Sequence, residues 1–287
     1  MSLESTVSEL VVASNSLTKA VSSKITEIDS KVAAATSAVP LAIQQGMYGN
    51  LYVDSVGGND SNNGKTWATA KKTIKSAVDS TPIGSVINCF LKAGMVHYLE
   101  SDIYCPGRVV QVHAEGYVFG DPSTYVELRS IPYIAQDGVL VAGGFQVGPN
   151  GFISFAGVKL STARFGAEHN GKLHDIWRTS FIKTGSAHGV VRLMGCSMDI
   201  INASFMYQHT AGSIGKADLL MRNVVVNKAS LVGQPVTTGH QYLMGTLGNY
   251  PMPFSLYGIE MVRQGAANWG ELVKADMTNA STNLTLT

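Results

Sequence analysis

Phe155-Ala156-Gly157-Val158-Lys159-Leu160 is the first of five similar hexapeptides in the chain. Ile176-Trp177-Arg178-Thr179-Ser180-Phe181, Ile200-Ile201-Asn202-Ala203-Ser204-Phe205, Met221-Arg222-Asn223-Val224-Val225-Val226 and Leu256-Tyr257-Gly258-Ile259-Glu260-Met261 follow it. The first, fourth and sixth positions are apolar or strand-compatible in every copy, while the third is Gly, Arg, Asn, Asn and Gly. A third position of that kind suits a corner in turn or left-handed geometry. The inward parity changes across it, as a strand, a bend and a second strand would require. Measured from Gly157 through Arg178, Asn202 and Asn223 to Gly258, the copies lie 21, 24, 21 and 35 residues apart. A solenoid must return to the same face once per turn, so these intervals predict a right-handed parallel β-helix with an insertion in its last interval. Its expected inward ladder is Leu160, Phe181, Phe205, Val226 and Met261. A β-sandwich is the alternative, but its strands recur every 8 to 12 residues or so with hairpin signals between them. Asn-Gly occurs only at Asn63-Gly64, Asn150-Gly151 and Asn170-Gly171, too rarely for a meander.

Upstream, the first forty residues follow a different rule. Leu3, Val7, Leu10, Ser14, Leu17 and Val21 are spaced in alternating steps of four and three, the seam of a coiled coil. An extra step of four leads to Ile25, and the alternation resumes through Ile28, Val32, Ala35 and Val39, so Leu17 to Ile25 reads as a stutter. No Gly or Pro interrupts the segment before Pro40, and a helix from 3 to 39 would be about 54 Å long. The other reading is an amphipathic helix packed on its own domain, but the stripe is narrow and the remaining faces are rich in Ser, Thr and Lys. Val and Leu in the first half lean toward two chains, whereas Ile25 followed by Ile28 allows three. Between Pro40 and Asn50, two glycines without a clear period predict a hinge.

Composition agrees with stacked β-structure. Only 14% of the 287 residues are charged, against about 25% in an ordinary domain, while 45% are hydrophobic and 30 are Gly. Like charges repeated on neighbouring strands would repel. The net charge of +1 and the absence of a Lys/Arg cluster give no footprint for nucleic acid or an anionic membrane. Cys89, Cys105 and Cys196 are too scattered for a disulfide framework or a zinc site and read as small buried hydrophobes. No signal peptide is visible, and no apolar run is long enough for membrane insertion.

From residue 51 the chain offers the strand Leu51-Tyr52-Val53 and the polar loop Gly57-Gly58-Asn59-Asp60-Ser61-Asn62-Asn63-Gly64. A helix with Thr73, Ile74, Ala77 and Val78 on one face follows, then the apolar strand Val86-Ile87-Asn88-Cys89-Phe90-Leu91. The segment Tyr52-Val53-Asp54, Gly58 to Gly64, Trp67-Ala68-Thr69-Ala70, Thr73-Ile74, Ala77-Val78 and Leu91-Lys92-Ala93-Gly94 resembles the N-terminal cap of pectate-lyase-like β-helix proteins. That opening is common in phage tailspikes and tail fibres, and the preceding seam looks like their virion-attachment stem. The resemblance implies a homotrimer of parallel β-helices, made in a host cytoplasm and carried on the virion. It implies no catalytic residue, because the cap holds none.

The motifs that carry chemistry are weak. Gly58 to Gly64-Lys65-Thr66 imitates a phosphate-binding P-loop but has five residues between its glycines where four are needed, and Asp60 would face the phosphates. As an EF-hand the loop lacks its last carboxylate, since Lys71 stands at position twelve. His169 and His174, five apart, share no helix face. No cofactor or metal is expected. Glycan cleavage by paired carboxylates is the enzymatic alternative, with Glu115, Glu127, Asp175, Asp199 and Glu260 as candidates. Asp175 and Asp199 each precede a hexapeptide by one residue, so stacking would bring them together. The insertion carrying Pro235, His240, Tyr242, Met244, Tyr250, Met252 and Pro253 reads either as a receptor loop, with His240, Tyr242 and Tyr250 as its contacts, or as a cover for the solenoid end.

The expected organisation is a coiled-coil stem over 1–45, hinge and cap over 46–95, β-helix over 96–265 and a tail over 266–287. The expected function is host-surface receptor binding by a phage tail fibre or tailspike, with Leu3, Val7, Leu10, Leu17, Val21, Ile25, Ile28 and Val32 joining the chains. The expected partners are identical chains, other tail, baseplate or collar proteins reached through the stem, and a host surface glycan or protein. A non-binding collar or adaptor fibre is the third possibility.

Overall fold

The computed structural model describes residues 2–185, 188–209, 215–229, 240–246, 253–275 and 277–287. It divides into two compact units, residues 1–46 and 47–287.

The first unit is one helix, α1 (Leu3–Met47). Glu27 pairs with Lys24 at 2.6 Å and Lys31 at 2.7 Å, one turn away on either side. The seam is exposed along its length, Leu10 at 70% and Ile28 at 57%. The helix continues through Pro40 to Met47, over the segment read as aperiodic, and a strand starts at Tyr48. Loss of one amide donor at Pro40 does not end a helix whose other bonds persist. Among the described residues no helix is long and apolar enough to cross a membrane.

The second unit is mainly β. Its strands in chain order are β1 (Tyr48–Val53), β2 (Val86–Leu91), β3 (Val96–Leu99), β4 (Ile103–Tyr104), β5 (Val109–Ala114), β6 (Val126–Ser130), β7 (Pro132–Ile134), β8 (Leu140–Ala142), β9 (Phe145–Val147) and β10 (Gly151–Ala156). They continue as β11 (Val158–Ser161), β12 (Ile182–Thr184), β13 (Gly189–Ile200), β14 (Met206–Gln208), β15 (Ala217–Lys228), β16 (Met244–Thr246), β17 (Phe254–Gln264), β18 (Val273–Lys274) and β19 (Ala280–Thr282). The larger sheet runs β1-β2-β5-β10-β13-β15-β17-β19, with β3-β6-β11 joining β13 along its other half. The smaller runs β4-β9-β12-β14-β16-β18. All pairings in both are parallel, and β7 with β8 forms a separate antiparallel pair. The chain passes repeatedly from one sheet to the other, an order compatible with a β-helix.

Register shows how far the hexapeptide pattern holds. Tyr48, Val86, Val109, Phe152, Val190, Asp218, Ser255 and Ser281 share one row, so successive passes are 38, 23, 43, 38, 28, 37 and 26 residues long. The passes are therefore longer and less even than the hexapeptides imply. Phe155–Leu160 and Met221–Val226 are indeed strand, corner, strand. Ile176–Thr179 instead forms a helical turn, because the Asp175 carboxylate accepts the Arg178 amide at 3.1 Å and caps it. Ile200 is the last residue of β13, and β14 begins only at Met206, after the copy that ends at Phe205. In the last copy the corner is Glu260, not Gly258, since Arg222 pairs with Ile259 and Val224 with Met261. Gly157, Gly195, Asn223 and Glu260 are the corners, with φ of 67°, 53°, 51° and 57°.

Leu160, Phe181, Phe205 and Val226 are buried and Met261 is half-buried against the core. The first four form two ladders rather than one, and Met261 pairs instead with Val224. Leu160, Met198 and Val226 are register neighbours in the larger sheet. Phe181 and Phe205 lead into β12 and β14 of the smaller sheet, their rings stacked at 5.6 Å. Phe155 reaches across from the larger sheet, 5.4 Å from Phe145 and 6.2 Å from Phe181.

Tyr117 to Tyr125 forms a strap over the corners. A Cβ on Gly157 would lie 2.2 Å from the Tyr117 ring, and one on Gly195 would lie 2.9 Å from Phe119. The Arg222 guanidinium sits over the Phe119 ring at 5.9 Å. Glycine at these two corners thus serves backbone conformation and close approach together.

The opening of the second unit closes one sheet edge. Tyr52 N–H donates to the Gly64 carbonyl at 2.8 Å, and Lys71 N–H to the Tyr52 carbonyl at 2.9 Å, covering the outer side of β1. The Asp60 carboxylate accepts the amides of Lys72 and Thr73, each at 2.9 Å, which ties the polar loop to the helix at Ile74–Asp79. Thr73 caps that helix, which buries Ile74, Ala77 and Val78. The loop's polar groups are thus spent on its own conformation. Cys89, Cys105 and Cys196 are buried and free, and burial raises their thiols to about 12, 12 and 11. Residues 266–287 belong to the same compact unit, supplying β18, β19 and the buried Leu272.

Candidate binding clefts

Two clefts collect the candidate residues. The first, about 370 Å³, is lined by Val139, Leu173, His174, Asp175, Ile176, Trp177, Tyr207 and His209. The capped turn Ile176–Thr179 holds Trp177, whose indole N–H donates to the Thr184 carbonyl at 3.0 Å. Its ring lies 5.5 Å from that of His209. Tyr207, on β14, donates its hydroxyl to the Thr246 carbonyl at 3.0 Å and is buried at the base of the cleft. His174 Nε2 meets the Thr179 hydroxyl at 2.9 Å, and that hydroxyl itself donates to the Asp175 carbonyl. The proton between them therefore belongs to Nε2, leaving Nδ1 as an acceptor. Burial lowers the His174 pKa, which favours this neutral form.

Asp175 lines this cleft with one oxygen committed to the Arg178 amide. Arg178 turns its side chain to Asp137 at 2.6 Å. No Lys or Arg is among the described lining residues.

The second cleft, about 240 Å³, is lined by Glu127, Arg129, Lys159, Ser161, Arg164, Asp199 and Ile201. Parallel register builds it from β6, β11 and β13, setting Glu127 beside Lys159 and Ser161 between Arg129 and Asp199. Glu127 accepts from Arg129 at 2.8 Å and from the Ser161 hydroxyl at 2.9 Å. Asp199 pairs with Lys159 at 2.9 Å and accepts from Asn227 at 3.0 Å.

Asp175 and Asp199 thus line different clefts, because the segment expected to stack as a strand is a helical turn. Glu127 and Asp199 are the two candidate acids that share one. Glu115 accepts the Ala93 amide at 3.2 Å, and Glu260 faces Arg222 at 3.8 Å on the surface. His240 packs on His174 at 5.0 Å, and burial with nearby His174 and Lys274 lowers its pKa to about 4. Lys274 lies over the Tyr242 ring at 5.5 Å. Tyr250, with Pro235 and Met252, lies outside the described residues. His169 and His174 both pack against Phe165, at 6.1 and 5.2 Å. Among the described residues no group of three or more His, Cys, Asp or Glu is placed to hold a metal ion.

Trp177, Tyr207 and His209 were not singled out by the sequence. Trp177 was hidden inside a supposed strand, and the other two come from a different pass. No protein-family model matches the chain, and no curated protein matches it.

Proposed function

We propose that the chain is a bacteriophage virion component of the tail-fibre or tailspike type, which binds a host surface. In this reading the second unit is a right-handed parallel β-helix, consistent with the handedness that parallel crossovers strongly favour. Three identical chains join through α1, which also meets other tail, baseplate or collar proteins. The observation that carries the reading is the seam of α1, where Leu3, Val7, Leu10, Leu17, Val21, Ile25, Ile28 and Val32 are all exposed in the single chain. A helix of 45 residues with such a stripe loses that apolar exposure when it pairs with copies of itself.

Leu10→Asp combined with Ile28→Asp is expected to convert a trimer to a monomer without changing the β signal in circular dichroism, because seam carboxylates would lack partners. Light scattering on the parent protein that returns a monomer would overturn the assembly.

A second reading, glycan depolymerisation, is favoured by one observation, the shared cleft of Glu127 and Asp199. Incubating labelled protein with a panel of bacterial cells while assaying released sugars separates the readings. Adsorption without sugar release is expected. Sugar release that stops in Glu127→Gln and Asp199→Asn would replace attachment by cleavage, and fixed-copy incorporation without adsorption or release would leave an adaptor fibre.

A further inference from the structure

We infer that the cleft between Trp177 and Tyr207 binds a small organic ammonium group, such as a quaternary ammonium headgroup or the amine of an amino sugar. This deepens the host-attachment reading, and rests on it only for where such a ligand would come from.

The chemistry of the walls selects the class. Trp177 and Tyr207 have their polar atoms already bonded to the Thr184 and Thr246 carbonyls, so neither offers a donor, and the aromatic surface at the cleft comes from the half-buried Trp177 and His209 rather than from the buried Tyr207. Aromatic faces attract cations through the negative face of the ring. Asp175 adds a carboxylate with one oxygen on the Arg178 amide and, among the described residues, no cation paired to it. Arg178 is engaged by Asp137. Lys183, the other cation near Asp175, is buried on Asp102. His174 lines the cleft with its Nε2 engaged by the Thr179 hydroxyl. The described lining thus combines aromatic surface with a carboxylate that stands outside any salt bridge, without a Lys or Arg. An anionic ligand finds no counter-charge there, and an uncharged one leaves the carboxylate unmatched. A volume of about 370 Å³ admits one small group and lies at the low end of ligand pockets.

The test is calorimetric titration of the full chain at pH 7, where choline is charged as at any pH, the glucosamine amine is mainly protonated, and burial keeps His174 and His240 neutral. Choline and glucosamine are the probes, with 3,3-dimethylbutan-1-ol and glucose as their uncharged counterparts. Saturation at one site per chain is expected for at least one ammonium, with its neutral counterpart about tenfold weaker or worse. Choline alone would point to a headgroup source, and glucosamine alone to an amino sugar. Asp175→Asn keeps the helix cap, because Asn caps as well as Asp, so it should weaken binding about tenfold with an unchanged melting temperature. Trp177→Phe keeps a ring and should weaken it less. Failure of both ammonium probes to saturate, or equal binding by a neutral counterpart, would overturn the assignment. Cell adsorption without ammonium binding removes this site and leaves host attachment standing, whereas ammonium binding without adsorption supports the site and removes the attachment reading.

Discussion

Gly157→Ala should lower the unfolding free energy by about 3 kcal/mol, combining about 1–2 for a left-handed non-glycine residue with about 1–3 for overpacking. Its φ of +67° and the 2.2 Å approach of a Cβ to the Tyr117 ring act together. Gly171 separates the two effects. It has φ of +69° with nothing within 4 Å of the position a methyl would take, so Gly171→Ala should cost only about 1–2 kcal/mol. Urea denaturation followed by circular dichroism measures both. Equal losses would mean that the strap does not rest on the corner.

Phe181→Ala should cost about 3–5 kcal/mol, the range for a fully buried phenylalanine. Phe181 is enclosed by Phe145, Phe155 and Phe205 with ring centroids at 6.2, 6.2 and 5.6 Å. It links the two sheets, so little can collapse into the void. Phe90→Ala is the comparison: that ring stacks between Tyr52 and His113 on the outer face and is only partly buried. Its loss should be about 1 kcal/mol, in the range of a cross-strand pair. A smaller effect at Phe181 than at Phe90 would contradict the two-ladder core.

The sequence made the general class legible and the register less so. The apolar run Val86–Leu91 and the paired positions of Phe155–Leu160 report local facts that survive folding, although Val86–Leu91 proves to alternate between half-buried and buried side chains. The corner at Asn223 was legible because its residue type tolerates left-handed backbone. Glu260 was not, because nothing about a glutamate announces that conformation. Ile176–Phe181 failed for a related reason: apolar residues at its first and last positions suit a strand pair, but the Asp175 cap makes a helical turn of the same residues. The exposed seam of α1 was readable, since its period is set by one helix alone. The first cleft was not, because Asp175, Trp177, Tyr207 and His209 meet through the pairing of β12 with β14, which local pattern does not encode.

The strap also bears on how the chain grows. A stack whose passes touch only their neighbours can close one pass at a time as synthesis proceeds. Tyr117 and Phe119 instead rest on corners at Gly157 and Gly195, and Phe119 is finally met by Arg222. From Phe119 to Arg222 is 103 residues of chain, about 5–20 s of synthesis at ordinary ribosomal rates. If the passes close in order as the chain is made, the Phe119 ring lacks its last contact for that interval, and the surface over the corners is completed from its far end.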